Sequence, residues 1–276
     1  MINNSSNEIK FKYNFTGKNI ILTGATGTIG SEVLKQLLEY GAHVIGFIRN
    51  KENIPENLNE FIESGMLSFL TIDFNEVNKI KEIFQEAMMN FGGKIDVLIF
   101  CHGKFFPGNV SDIGNKEFES NISINVRANL HILSLATPFL KLTKGNVVMI
   151  SSIKTKIIQR GVFLHALSKA MINSLIENSA LELAPFGIRV NGVSPSYTNS
   201  NYRVSELFNE KRNEKYLEQM KKYSLLEDKL PEPNEIADCI IYLASNLSVF
   251  ITGEILDIDC GYSLNHDLTF RNPDEQ

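Results

Sequence analysis

The chain lacks the features that mark several classes of protein. Its three cysteines, Cys101, Cys239 and Cys260, are odd in number and widely spaced, which predicts neither a disulfide framework nor a zinc site. Its net charge of −5 has no basic excess to attract nucleic acid or anionic lipid. No apolar run reaches the ~20 residues of a membrane-spanning helix, and the first residues lack the regions of a signal peptide. We therefore expect a cytoplasmic protein with no nucleic-acid or membrane partner and no metal.

The size and composition suit a single domain. The chain has 276 residues, 43% of them hydrophobic and 21% charged, which is enough apolar material for one large core under an ordinary polar surface. No internal repeat and no long linker interrupts it. We predict one domain over residues 15–264, between a flexible N-terminal extension at 1–14 and a polar tail at 265–276.

Apolar runs of strand length alternate with segments of helical periodicity along most of the chain. Continuous apolar strands separated by helices are typical of a parallel sheet that is covered on both faces. The sequence therefore predicts an α/β fold, a doubly wound Rossmann sheet with ligands at the carboxyl ends of its strands. The predicted strands are 19–23, 43–48, 67–72, 95–100, 146–150, 188–193 and 255–258. A charged, amphipathic insertion at about 200–225 is either a solvated surface helix or, as its position at this edge favours, a lid over the substrate.

A glycine-rich turn joins the first predicted strand to the first predicted helix. Glycines at such a turn let the backbone approach a pyrophosphate, and the helix N-terminus supplies N–H groups and a positive dipole. The alternative is a turn with a purely structural role. Because the turn opens a βαβ unit, we predict a dinucleotide site. Its residues are Thr23, Gly24, Thr26, Gly27, Thr28, Ile29 and Gly30.

The end of the second strand indicates which dinucleotide binds. A carboxylate there would accept hydrogen bonds from the ribose hydroxyls and repel a 2′-phosphate. This chain has Ile48 at that place, followed by Arg49, which can pair with a 2′-phosphate. NADP(H) is favoured and NAD(H) remains an alternative, since a surface arginine after a strand is common.

Polar residues near the middle of the chain keep a distinctive spacing. Ser152 follows the fifth predicted strand and lies thirteen residues before His165, and Lys169 follows His165 by one helical turn. Asn125 lies upstream in a predicted long helix. With the glycine-rich turn and the closing run at 259–262, this pattern resembles the single-domain branch of the short-chain dehydrogenase/reductase family, from about residue 15 to 264.

The resemblance implies an NAD(P)-dependent oxidoreductase that acts on a small-molecule carbonyl or secondary alcohol. In that family a serine, a tyrosine and a lysine surround the substrate carbonyl, and an asparagine holds a water that leads to the lysine. The resemblance thus assigns catalytic roles to Asn125, Ser152 and Lys169, with Lys169 also on the cofactor ribose. It places His165 where the family has its tyrosine. It also implies a homo-oligomer, a dimer or a tetramer.

Further cofactor contacts follow from the same resemblance. Asp73 and Phe74 come after the third strand, where the family meets the adenine edge, although an aspartate there is also a common helix N-cap. Gly103 lies beside the cofactor after the fourth strand. Pro195 lies beside the nicotinamide, and Ser200 replaces a threonine that contacts the carboxamide.

The chain departs from the family pattern at several places. Thr28 stands where the middle glycine usually lies, and the glycine spacing matches the longer, sugar-nucleotide-modifying branch. The length and the C-terminal pattern oppose an epimerase of that branch. Bulkier groups at 100–102 replace the asparagines and alanine that usually end the fourth strand, while Ser196 and Cys260 replace glycines. The nicotinamide side is therefore less well defined by the sequence than the phosphate side.

Histidine at the donor position changes the expected chemistry. Its ring nitrogen falls short of a phenol oxygen, and a misplacement of about 1 Å can cost on the order of 100-fold in rate. Its acid form is a cation, which Lys169 disfavours. Neutral imidazole is a base but a poor acid, so alcohol oxidation suits His165 better than carbonyl reduction. Tyr197 is the one tyrosine that we nominate as a substitute donor.

Two hypotheses remain open at this point. The first is an oxidoreductase of altered activity that uses Asn125, Ser152, His165 and Lys169. The second is a non-catalytic dinucleotide-binding homologue that serves as a regulator, scaffold or oligomer partner. Retention of three of the four polar residues favours the enzyme, because a pure scaffold does not need them.

Overall fold

Seven strands alternate with helices in the computed structural model, which describes residues 13–198, 217–218, 220–226 and 229–265. The strands are β1 Asn19–Thr23, β2 His43–Ile48, β3 Leu67–Thr71, β4 Val97–Phe100, β5 Asn146–Ile150, β6 Arg189–Pro195 and β7 Ile255–Ile258. The α-helices within these ranges are α1 Thr28–Glu39, α2 Asn59–Glu63, α3 Val77–Asn90, α4 Asn115–Ile122, α5 Ala128–Thr143, α6 Phe163–Leu183 and α7 Pro233–Ala244.

The strands form one parallel sheet in the order β3-β2-β1-β4-β5-β6-β7. The predicted doubly wound sheet is confirmed, and its strand bounds differ from the predicted ones by no more than two residues. The chain winds outward from β1 to β3 and then returns to place β4 beside β1. A ligand crevice forms at such a switch point, beyond the carboxyl ends of the two strands.

Alternate side chains of each strand enter two separate cores. Ile21 and Leu98 pack against α3, α5 and α6 on one face of the sheet, while Ile20 and Leu22 pack against α1 and α7 on the other. Because both faces are buried, the central strands are apolar at most positions. This explains why they appear in the sequence as continuous apolar runs instead of alternating ones.

Some predicted segments lie outside the described residues. These are most of the N-terminal extension, the tail from 266 onward, Ser200 and most of the insertion at 200–225. The last part of that insertion is described, and there the backbone N–H of Leu225 donates to the Cys260 carbonyl over 2.8 Å. Among the helices of the described ranges, none combines the length and the apolar character that crossing a bilayer requires.

Candidate functional site

The turn between β1 and α1 is built so that only glycine fits at two of its positions. The Gly24 N–H donates to the Phe47 carbonyl over 2.8 Å, and Gly24 has a φ of +69°. A Cβ on Gly24 would lie 2.8 Å from the backbone of His102, and one on Gly30 would lie 2.1 Å from the Gly24 carbonyl oxygen. The helix therefore approaches the sheet more closely than any side chain allows.

The N-terminus of α1 remains available to an anion. Gly27 precedes the helix without a side chain to cap it, and the first turn contains no acidic residue. The first amides of the helix and its positive dipole thus face the carboxyl edge of the sheet at the β1–β4 switch point. These features fit the pyrophosphate of a dinucleotide, with Thr26, Thr28 and Ile29 beside it.

Two predicted nucleotide contacts lie at the ends of the neighbouring strands. Arg49 is exposed directly after β2. Asp73 follows β3, and its Oδ1 accepts from the Asn75 backbone N–H over 2.9 Å and from the Asn75 side-chain amide over 3.1 Å. Asp73 therefore caps a turn that precedes α3 and is not the N-cap residue of that helix, which is Glu76.

His102 is a half-buried structural residue at the switch point. Its Nδ1 lies 2.6 Å from the Thr23 hydroxyl and its Nε2 lies 3.0 Å from the Ile124 carbonyl. The Phe74 ring stacks on it with a centroid distance of 4.0 Å. Burial lowers the pKa of His102 to about 3, so the ring is neutral. Because the Ile124 carbonyl can only accept a hydrogen bond, Nε2 carries the proton. Nδ1 then accepts from the Thr23 hydroxyl.

Asn125 holds the loop that follows β4. It lies in a π-helical turn, Ser123–Arg127, between α4 and α5. Its Oδ1 accepts from the Lys104 backbone N–H and its Nδ2 donates to the Lys104 carbonyl, each over 2.8 Å. A Cβ on Gly103 would lie 3.4 Å from Asn125 Oδ1 and 3.9 Å from Lys169 Nζ. The structure thus brings Asn125, Gly103 and Lys169 together.

Lys169 and His165 lie on one face of α6, in surroundings that oppose positive charge. Lys169 Nζ donates to the Ile150 carbonyl at the end of β5 over 2.7 Å, and burial lowers its pKa to about 8. The pKa of His165 falls to about 3 because of burial, with smaller effects of Lys169 and Lys154. Its Nδ1 is buried and has no hydrogen-bond partner among the described residues.

The carboxyl ends of β5 and β6, on the substrate side of the sheet edge, carry the predicted residues Ser152, Pro195 and Tyr197. Ser152 lies two residues beyond β5, and its Oγ accepts from the Lys154 backbone N–H over 3.3 Å, which caps a short 3₁₀-helix, Ile153–Thr155. Pro195 is the last residue of β6. The Tyr197 hydroxyl donates to Gln159 Oε1 over 2.8 Å.

The chain is similar to known proteins over most of its length. A short-chain dehydrogenase family profile, described as enoyl-(acyl carrier protein) reductase, matches residues 24–263. The chain belongs to the short-chain dehydrogenase/reductase family. A tropinone reductase homologue of Arabidopsis thaliana is 28% identical over 92% of this chain and 95% of its own. The Arabidopsis short-chain dehydrogenase reductase 3a is 27% identical over 90% of this chain and 96% of its own.

A solved structure shares the fold of this short-chain dehydrogenase/reductase. It comes from Sinorhizobium meliloti 1021 and is provisionally assigned as a short-chain alcohol dehydrogenase. It superimposes with a TM-score of 0.82 at 21% identity, over 91% of this chain and 98% of its own. At that identity the similarity supports the fold alone. The catalytic and cofactor roles of individual residues, and the place of His165 in the family pattern, remain predictions.

Sequence reasoning missed one residue at the edge of this short-chain dehydrogenase/reductase site. Lys154 is buried, at 4% exposure, although it follows Ser152 by only two residues in a polar stretch of the sequence. Lysine is almost never fully buried without a partner, so no pattern in the sequence signals its burial. The two aromatic rings beside its ammonium, those of Tyr197 and Tyr262, come from more than forty positions away along the chain.

Proposed function

We propose that the protein is an NADP(H)-dependent oxidoreductase that interconverts a carbonyl and a secondary alcohol, with an activity altered by His165 at the donor position. One observation carries the proposal. A buried lysine, Lys169, lies one helical turn from His165 and contacts the end of β5, at the same sheet edge as the glycine-rich turn. A lysine buried without a paired carboxylate is costly, and such lysines are found at functional sites.

The residues at this edge fit a dinucleotide. The turn at 23–30 would hold the pyrophosphate, Asp73 and Phe74 would border the adenine, and Gly103, Lys169 and Pro195 would border the nicotinamide half. Ser200, outside the described residues, stays a predicted contact of the carboxamide. The bound nicotinamide supplies or accepts the hydride.

Arg49 supports the preference for NADP(H). It is exposed immediately beyond β2, and Ile48 before it is apolar, so the end of this strand offers no carboxylate that would repel a 2′-phosphate. A guanidinium there is free to form charge-assisted hydrogen bonds with the phosphate oxygens. NAD(H) binds the same site without this interaction.

His165 limits proton transfer in this proposal. With a pKa of about 3, the imidazole is neutral at physiological pH and carries no readily donated proton. The same low pKa makes the imidazole a weak base. His165 therefore favours alcohol oxidation less than a histidine of ordinary pKa would. We propose that His165 hydrogen-bonds the substrate oxygen. Lys169, with a pKa of about 8, is a nearby group that titrates close to neutral pH.

The test is an assay of NADPH oxidation and NADP⁺ reduction over a panel of carbonyls and secondary alcohols. We expect slow turnover by the parent protein, faster reduction on the order of 10²-fold in His165→Tyr, and loss of that gain in His165→Tyr/Lys169→Met. If the parent binds NADPH but has no turnover, and His165→Tyr is equally inactive, the oxidoreductase proposal is wrong and the non-catalytic homologue replaces it.

We also propose a homo-oligomer, a dimer or tetramer, that works in the cytoplasm. Support for self-association comes from apolar side chains on α5 and α6 that remain exposed in the single chain. Leu130, Leu142 and Leu181 are 53%, 76% and 77% exposed. Burying such residues against a second copy stabilises an assembly, and light scattering of the purified chain measures its size.

A further inference from the structure

Lys154 is a buried cation that the proposed mechanism does not use. Its side chain starts from the 3₁₀-helix that Ser152 caps, and the residue is only 4% exposed. Its Nζ is buried and has no hydrogen-bond partner within the described ranges of the chain. An ammonium group has three donors and no acceptor, so none of the three N–H groups of Lys154 has a hydrogen-bond acceptor among the described residues.

Two aromatic rings hold the ammonium in place. Lys154 Nζ lies 4.4 Å from the centroid of the Tyr197 ring and 5.0 Å from that of the Tyr262 ring. Tyr197 follows β6 and Tyr262 follows β7, so the side chain of Lys154 reaches from the end of β5 across the ends of two neighbouring strands. Ring faces attract a cation at such distances, but they leave its N–H groups without strong acceptors.

No carboxylate of the described residues balances this charge. Burial alone lowers the pKa of Lys154 to about 8, and no acidic side chain of the described residues raises it. Lys156, two residues further along, shows the usual arrangement, because it is half-exposed and pairs with Asp257. Lys154 and Lys169 both act on His165 and lower its pKa. The candidate site therefore contains two buried cations and no described anion.

We propose that Lys154 binds a carboxylate group of the substrate, so that the site takes oxo acids and the corresponding hydroxy acids. Such an anion gives the ammonium its missing acceptors and offsets the charge of both lysines. Among the described residues neither an arginine nor a cluster of free backbone amides contacts this ammonium, and a single ammonium suits a carboxylate better than a phosphate. The reaction rests on the proposed function, whereas the binding of the carboxylate does not.

The binding experiment compares short oxo acids with the carboxamides of the same carbon skeleton. Each is titrated by calorimetry into the protein saturated with NADP⁺, which has no hydride to transfer to the oxo acid. We expect the acids to bind tighter on the order of 10²-fold, and we expect Lys154→Met and Lys154→Gln to remove that preference. Lys156→Met, which removes a neighbouring paired lysine, keeps it. Phosphate monoesters of hydroxyketones form a third arm, in which we expect no comparable preference.

Folding is checked separately, because Lys154 is buried. Methionine keeps the length of the side chain and removes an unpaired charge, so Lys154→Met is expected to unfold at the same temperature as the parent or at a higher one. A lower unfolding temperature in both variants indicates a structural lysine and overturns the proposal. The comparison of acid with amide in the parent protein does not depend on either variant.

The outcomes separate this proposal from the oxidoreductase proposal. A preference for acids that needs Lys154, without any turnover, supports the carboxylate site and contradicts the oxidoreductase. Turnover of acids and amides with equal kcat/KM in the parent contradicts the carboxylate site alone. If Lys154→Met abolishes turnover of neutral and acidic substrates alike while the acids still bind, Lys154 is a proton donor and the proposal is wrong. Tight binding of the phosphate monoesters alone also overturns it.

Discussion

The nucleotide side and the substrate side of this sheet edge each contain a half-buried neutral histidine, but only His102 has a partner for both ring nitrogens among the described contacts. His102 has a hydroxyl at one ring nitrogen and a carbonyl at the other. His165 has a buried Nδ1 without a hydrogen-bond partner among the described residues. The buried ammonium of Lys154 likewise has no hydrogen-bond partner among them. Because buried polar groups are nearly always satisfied, the two unsatisfied groups on the substrate side support our proposal that a ligand binds there.

We expect the largest effect on stability and cofactor binding from a substitution on the nucleotide side. Gly30→Ala places a methyl group 2.1 Å from the Gly24 carbonyl oxygen, which forces α1 away from the sheet. We expect a loss of about 3 kcal/mol or more of unfolding free energy and no measurable NADPH binding by calorimetry. The control is Gly65→Ala, where φ is +77° and no atom lies within 4 Å. It is expected to cost about 1 kcal/mol and to leave binding intact.

The two histidines form the most direct test of the comparison. His102→Phe removes two buried hydrogen bonds and leaves the Thr23 hydroxyl and the Ile124 carbonyl without that partner, so we expect a loss of about 2–3 kcal/mol in denaturant unfolding. His165→Phe removes a polar atom, Nδ1, that has no partner among the described residues. It places a larger apolar ring beside Phe105, whose centroid lies 5.2 Å from that of the imidazole. Its unfolding free energy is expected to change by less than about 1 kcal/mol. Equal losses in the two variants would contradict the comparison.

The pH dependence of stability reports on the same pair. Both histidines have a folded pKa of about 3, below the ordinary value of 6.5. Between these values the unfolded chain binds more protons, so stability rises with pH from 3 to 6.5, by about 1.4 kcal/mol per pH unit for each histidine. Unfolding of the parent and of His165→Phe across this range is expected to show a smaller slope in the variant. Identical slopes would mean that His165 is solvated.

The smallest expected effect concerns the cofactor phosphate. Arg49→Ala is expected to weaken NADPH binding about tenfold, or ~1.4 kcal/mol, with little change for NADH, because in our proposal the guanidinium pairs with the 2′-phosphate alone. Fluorescence titration of both cofactors measures this ratio. Lys94→Ala, on the loop that precedes β4, serves as a charge-matched control. A uniform loss for both cofactors would assign Arg49 a structural role.

The order of elements could be predicted from local patterns. The seven apolar runs lie where the strands lie because a strand buried on both faces has to be apolar, and the glycine-rich turn coincides with the β1–α1 junction. Strand ends were less predictable. The apolar Ile95 and Ile188 continue the adjacent runs but lie just outside β4 and β6, since the pairing of a strand depends on its neighbours and not on its own residues.

The sequence by itself determined the parallel sheet, the glycine-rich turn and the spacing of Ser152, His165 and Lys169, because these depend on period, chain direction and short-range separation. Only the tertiary structure decided what surrounds these residues. It provides partners for His102 from β1 and the turn before α5, and it buries Lys154 against rings that follow β6 and β7. Desolvation and hydrogen bonding depend on contacts between distant segments, so the same residue type is structural at one end of the crevice and unpaired at the other.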